Sequence, residues 1–241
     1  MTYDAAAAKP AGTGPPARVA GPDGSAPAPG TDAQAAAEVE VDAETLSTDD
    51  TLPRDHTQSI LETTKQVAAL LKASEHRFAL TGSVAAYAHG VQVRLQHDTD
   101  FCIRPEDVGD IADACAKAGL EMVDAPEDWL IKARAGGEEI DLIHELAQRP
   151  VTTELLDRAE MLSVDSVWMP VLPPTQLLSG LLGSLSEHHC DFSGLLPIAR
   201  TLRERIDWDQ LREQHGQAPL PDAFFYLLER LNVIDRREAT S

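Results

Sequence analysis

Two carboxylates one residue apart, Asp98 and Asp100, followed at once by the apolar Phe101-Cys102-Ile103, are the residues of this chain best suited to chemistry. In an extended strand alternate side chains share a face, so Asp98 and Asp100 project side by side while Thr99 turns the other way. Carboxylates held that close repel each other unless a cation stands between them, and hard oxygen ligands favour magnesium or manganese over zinc. A third acid, Asp141, lies in a second alternating segment, Glu139-Ile140-Asp141-Leu142-Ile143, and joins the pair if the two strands are neighbours in one sheet. Three acids can hold two ions. That constellation suits phosphoryl or nucleotidyl transfer, where paired cations clamp the attacking and leaving oxygens and neutralise the phosphates between them.

The elements around the acids supply further candidates. Phe78-Ala79-Leu80 reads as a short strand running into Gly82-Ser83, which opens a helix sixteen residues before the acid pair. Gly and Ser are ordinary turn residues; at a helix start their N–H groups can also cradle the phosphates of a nucleotide, with the Ser83 hydroxyl as a further donor. Arg94 is either a solvated charge or a bidentate phosphate contact. Lys132 is read as pointing to solvent. Ser186-Glu187-His188-His189-Cys190-Asp191 concentrates ligand-type side chains, but neighbours on a helix point in different directions and do not converge on one ion. The segment reads as a helix end, and the roles of Glu187, His188, His189 and Asp191 stay open.

The apolar run follows the acids instead of leading up to them, unlike the pattern in metal-dependent glycosyltransferases and haloacid-dehalogenase-type phosphatases. A Gly-Ser turn opening a short helix, then an acid pair within a strand, resembles the DNA-polymerase-beta-like nucleotidyltransferase superfamily. Thr81-Gly82-Ser83 leading through small residues to His89-Gly90, then Arg94, then Asp98 and Asp100, is most similar to its AbiEii and type IV toxin branch. The spacing from His89-Gly90 to Asp98 is slightly longer than in that branch, which bears on Arg94 more than on the acids. The likeness covers roughly residues 57 to 170 in pattern. It implies a nucleoside triphosphate substrate, two Mg2+ or Mn2+ ions held by Asp98, Asp100 and Asp141, phosphate contacts from Gly82, Ser83 and Arg94, and a possible cognate antitoxin.

Composition bounds the remainder. Residues 1–54 are dominated by Ala, Pro, Gly, Asp and Thr, cannot bury enough apolar surface to offset chain entropy, and are predicted to be a disordered tail. There is no signal-peptide pattern and no run long enough to span a bilayer, so the expectation is a cytoplasmic protein without a membrane partner. Three cysteines, odd in number and widely spaced, argue against a disulfide framework. Periodicity predicts a helix over 56–74, a helix from Arg104-Pro105 to Ala118, a strand over 120–123, and a hairpin of 129–134 with 138–143 about Gly136-Gly137. Beyond Thr152 it predicts a short helix, a strand over 164–169 and four helices, with Trp168, Trp208, Phe224 and Phe225 as core anchors. The fold expected is α+β: a mixed α/β sheet forming a nucleotidyltransferase-like domain over 55–170, then an α-helical domain over 171–241.

The reading that follows is an enzyme, a metal-dependent nucleotidyltransferase that moves a nucleoside monophosphate from a triphosphate to an acceptor hydroxyl and releases pyrophosphate. The alternatives are a catalytically silent nucleotide-binding module and an acidic protein-interaction domain. Net charge is −20, and residues 57–241 still carry 17 basic against 30 acidic side chains. Such a field opposes a phosphate backbone, making a small molecule or a protein a better acceptor than bulk transfer RNA. Bulk transfer RNA is therefore expected to bind no tighter than about 10 μM at physiological salt; submicromolar, steeply salt-dependent binding in a filter or anisotropy assay would contradict this.

Overall fold

The computed structural model describes residues 56–95, 98–188 and 190–236; the proposed tail of residues 1–54 lies outside them. The chain opens with α1 (Thr57–Ala73), whose Ile60, Leu61, Val67, Ala68 and Leu71 recur at helical spacing and are buried. Then come β1 (Phe78–Thr81), α2 (Gly82–Ala88) and β2 (Asp98–Ile103). Pro105 starts a 3-10 turn that leads into α3 (Val108–Lys117), ended by Gly119 at a φ of +86°. β3 (Glu121–Val123), β4 (Leu130–Ala135) and β5 (Glu138–Ile143) complete one half of the sheet. Gly136 and Gly137, at φ +60° and +91°, make the tight turn of the β4–β5 hairpin, as their lack of a Cβ allows.

The main sheet has seven strands in the order β3-β4-β5-β2-β1-β9-β8, where β8 is Glu160–Val164 and β9 Val167–Val171. β2 pairs antiparallel with β1 and parallel with β5. Phe78, Leu80, Phe101, Ile103, Ile140 and Leu142 belong to the principal core with α1, with Ile111 and Cys115 of α3, and with apolar side chains from α5 (Pro174–Gly183), α6 (Leu195–Thr201), α7 (Trp208–His215) and α8 (Pro219–Arg230). A smaller cluster of Ala79, Cys102, Val151, Leu156 and Leu172 joins β1 and β2 to α4 (Thr153–Leu156). The fold is thus the mixed sheet with helices that the sequence predicts. No described helix is long and apolar enough to cross a membrane.

Three details depart from expectation. The strand read over 164–169 is a hairpin: Asp165 and Ser166, at φ 43° and 71°, turn the chain between β8 and β9. A second two-stranded sheet, β6 (Glu145–Leu146) with β7 (Arg149–Pro150), has strands too short to leave a periodic signal. Trp168 is no core anchor, being 61% exposed on the hairpin, whereas Phe224 and Phe225 are buried and Trp208 is half-buried. α5 ends at Gly183, ahead of the Ser186–Asp191 segment, in which Asp191 accepts from the Ser193 amide and hydroxyl; His189 lies outside the described residues.

Thr99, between the two acids, points into the core and fixes which face of β2 carries them. The buried Thr64 hydroxyl donates to the Ile60 carbonyl at 2.7 Å, which leaves it to accept from the Thr99 hydroxyl at 2.9 Å. Thr64→Val strands the Thr99 donor, so it is expected to lower stability by about 2 kcal/mol, while Thr99→Val costs less because Thr64 keeps its carbonyl partner, and the double variant resembles Thr99→Val. Denaturant melts of the three variants test this ordering.

Candidate active site

The parallel pairing of β2 with β5 sets Asp100 directly opposite Asp141, with Asp98 opposite Glu139. One carboxylate oxygen from each of Asp98, Asp100 and Asp141 lies within 4.8 Å of the other two. Asp141 is buried, and Asp100 keeps a little accessible surface although protein atoms crowd it on all sides. Burial, then the charges of Asp98 and Asp141, push the Asp100 carboxyl well above its ordinary value of 3.8, and Lys132 offsets only part of this. Burial, with the nearby Asp100 charge, also pushes the Cys102 thiol up, so it is no thiolate nucleophile.

The Gly82-Ser83 turn is built around the same carboxylate. Thr81 is the register partner of Asp100, and Gly82 follows at a φ of +65°. A Cβ on Gly82 would lie 2.7 Å from Cγ of Asp100. Glycine is needed here twice over, for its left-handed backbone and for the space its missing side chain leaves to the acid. Ser83 is half-buried in the first turn of α2, and Arg94 is exposed in the loop before β2.

Lys132 corrects the expectation that it points to solvent. It is the cross-strand partner of Asp141 in the β4–β5 hairpin, and its ammonium donates to both Oδ1 and Oδ2 of that acid, at 2.9 and 3.0 Å. Burial pulls its pKa down, but the bond to Asp141 and the charges of Asp141, Glu139 and Glu127 outweigh that, and it stays charged. Glu127 stands in no motif of the sequence. Its Oε2 is buried and has no hydrogen-bond partner among the described residues. Only the hairpin register, which places Lys132 against Asp141, would have flagged the lysine.

The donor set fits a hard divalent cation. Three carboxylates converge, all offer oxygen, and the ionised form of Asp100, disfavoured by burial and then by its two acidic neighbours, would be stabilised by a divalent charge.

A family model described as uncharacterised nucleotidyltransferase matches residues 43–233. A search of curated proteins gives no match. Among solved structures, the chain resembles the antibiotic-resistance factor ANT(2″)-Ia in solution, at 13% identity and a TM-score of 0.50 over 74% of this chain and 98% of that one. It also resembles the crystal structure of ANT(2″)-Ia in complex with adenylyl-2″-tobramycin, at 9% identity and a TM-score of 0.51 over 69% and 99%. The lincomycin-bound lincosamide adenylyltransferase LnuA aligns at 11% identity and a TM-score of 0.43 over 59% and 95%. The ANT(2″)-Ia likenesses are of fold.

Because the folded pKa of Asp100 is raised, the stability it contributes is fully present below the ordinary carboxylate value and is lost as pH rises through the folded pKa. In a chelator, the melting temperature should fall over that window, and Asp100→Asn should remove this component and melt higher at neutral pH; identical pH profiles would contradict it. Gly82→Ala should destabilise by about 2 kcal/mol or more, combining left-handed strain with the collision at Asp100, and a wild-type melting curve would show that the turn relaxes freely.

Proposed function

The chain belongs to this nucleotidyltransferase family, and from that footing we propose that it transfers a nucleoside monophosphate from a triphosphate to a hydroxyl of a small molecule, in a reaction requiring divalent cations at Asp98, Asp100 and Asp141. The observation that carries this reading is the convergence of three carboxylate oxygens within 4.8 Å on two adjacent parallel strands. Asp98 and Asp100 face the triphosphate, and Asp100 with Asp141 faces the attacking hydroxyl. Mg2+ or Mn2+, as two ions with the bound triphosphate, would neutralise the phosphates and acidify that hydroxyl. The acceptor oxygen bonds to the α-phosphorus, the bond from that phosphorus to the bridging oxygen breaks, and pyrophosphate leaves. Asp141 orients the hydroxyl and takes its proton, and Lys132 holds Asp141 in place for that role.

The amides of Gly82 and Ser83 contact the outer phosphates, and Arg94, whose side chain is exposed, closes over them from the loop before β2. Residues 55–170 form the catalytic part, and helices from 171–241 flank the acceptor side. The complex of ANT(2″)-Ia with adenylyl-2″-tobramycin supports a small-molecule acceptor on this fold. The acidic surface adds to it by opposing nucleic acid. A nucleoside triphosphate substrate goes with a cytoplasmic site of action. The second reading, a toxin with a cognate antitoxin, rests on the run from Gly82-Ser83 through His89-Gly90 to the acid pair.

Incubation of the full chain with each α-labelled triphosphate, Mg2+ or Mn2+, and separate pools of small hydroxylated molecules, protein and transfer RNA tests the proposal. Cation-dependent label on a small molecule is the expected result, and label confined to transfer RNA would favour the toxin reading. Asp100→Asn should lower turnover by about a hundredfold or more with its fold retained. Full activity of that variant at saturating Mg2+ would remove the assignment.

A further inference from the structure

A cavity of about 740 Å³ opens between the β6–β7 hairpin, α4, and helices α5, α7 and α8. That volume suits a metabolite-sized ligand. The chain has 40 acidic against 20 basic residues, yet none of the 18 described residues lining this cavity is Asp or Glu. Arg149 and Arg158 stand at its wall, and among the described residues neither guanidinium is engaged by an ion pair or hydrogen bond. Two unengaged guanidinium groups in a concavity without acids focus a positive potential. Their forked donors match carboxylate or phosphate oxygens.

The rest of the lining suits hydroxyl groups. Four glutamines contribute, among them Gln176 and Gln214. The Ser179 hydroxyl donates to Oε1 of Gln214 at 3.2 Å, which leaves it to accept from Nε2 of His215 at 2.8 Å. Burial, then the charge of Arg149, holds the His215 pKa below its ordinary value, so the ring is a neutral hydrogen-bonding group and adds no charge.

The hairpin that carries Arg149 is held firmly. Ala147 and Gln148 at its tip take φ of 51° and 60°, a left-handed conformation that costs a side-chain-bearing residue energy. Helix α5 meets this tip through glycine: a Cβ on Gly180 would lie 2.7 Å from Cδ1 of Leu146, and one on Gly183 2.7 Å from Cα of Ala147. The helix therefore packs closely on the Leu146 side chain and on Ala147, and Arg149, next along from Gln148, is presented from a seated turn. β5, which bears the third acid, ends at Ile143, and the chain passes through His144 directly into this hairpin.

We infer that this cavity is a binding site for a small anionic molecule bearing hydroxyl groups, such as a phosphorylated or carboxylated polyol, and not for a cationic one. Its occupant is either the acceptor of the proposed transfer or an effector of it. Binding itself does not rest on that proposal, because the acids contribute nothing to the cavity.

The full chain is titrated in EDTA, so that no phosphate is held at the acids through a cation, and amide resonances of Arg149, Ser179 and His215 are followed by NMR. The probes are inorganic phosphate, glucose 6-phosphate and gluconate, against glucose and tobramycin. The anionic probes should shift these resonances in the wild type and equally in Asp100→Asn. The double variant R149S/R158S should weaken them by at least about tenfold. Absence of any shift at about 10 mM anion, equal binding by the double variant, or tighter binding of tobramycin would each overturn the assignment. A second arm adds triphosphate and Mg2+: a nucleotidylated glucose 6-phosphate in the mass spectrum identifies the acceptor, whereas an unmodified ligand that changes the rate of pyrophosphate release identifies an effector. Loss of all transfer in this arm, with binding intact in the first, counts against the transfer reading alone.

Discussion

Parallel pairing of β2 with β5 brings Asp100 and Asp141 face to face, and most of what surrounds them answers the repulsion this creates. Burial of Asp100, then the charges of Asp98 and Asp141 beside it, disfavours its ionised form and pushes its pKa up. Folding can sustain that only because the opposite face of the same strands, through Phe101, Ile103, Ile140 and Leu142, is fully buried against α1 and α3. Thr99 shows the division within one strand: its neighbours carry charge toward the open side while its own hydroxyl is locked to Thr64 inside.

Two residues manage the charge locally, by different means. Gly82 gives way, supplying a left-handed turn and empty space so that Asp100 can approach the start of α2. Lys132 pushes back, its ammonium spanning both oxygens of Asp141 from the neighbouring strand. Lys132 binds Asp141 directly but offsets only part of what disfavours the charge on Asp100. This asymmetry is what a site awaiting a divalent ion and a triphosphate requires, since a fully neutralised cluster would have no electrostatic reason to bind either.

Past the end of β5 the chemistry changes sign. Beyond His144 the chain forms a short hairpin whose tip is seated on the glycines of α5, and the adjoining cavity is lined without acids in a chain dominated by them. Consecutive elements of the chain thus carry a region built to attract cations and a region built to attract anions. Such a separation lets a phosphate-bearing molecule be held by arginines at one end while the acids at the other remain available to metal and nucleotide.

The elements, and the three acids as candidates for metal, were legible in the order of residues alone. Asp-x-Asp before an apolar run, the Gly-Ser turn, the Gly136-Gly137 hairpin and the helical stripes are local patterns, set by side-chain alternation and by backbone conformations that only certain residues adopt. That was enough to expect a mixed sheet followed by helices, and to name the three acids and the turn before them. That β5 lies beside β2 was not legible there, since strand order depends on packing of residues far apart in the chain. The same holds for Lys132, whose direction follows from hairpin register and not from its neighbours in sequence. Exposed Trp168, the β8–β9 turn at non-glycine residues and the cavity beside Arg149 were illegible for one physical reason: burial, strain and electric field are properties of what surrounds a residue in space, and no short stretch of chain contains that information.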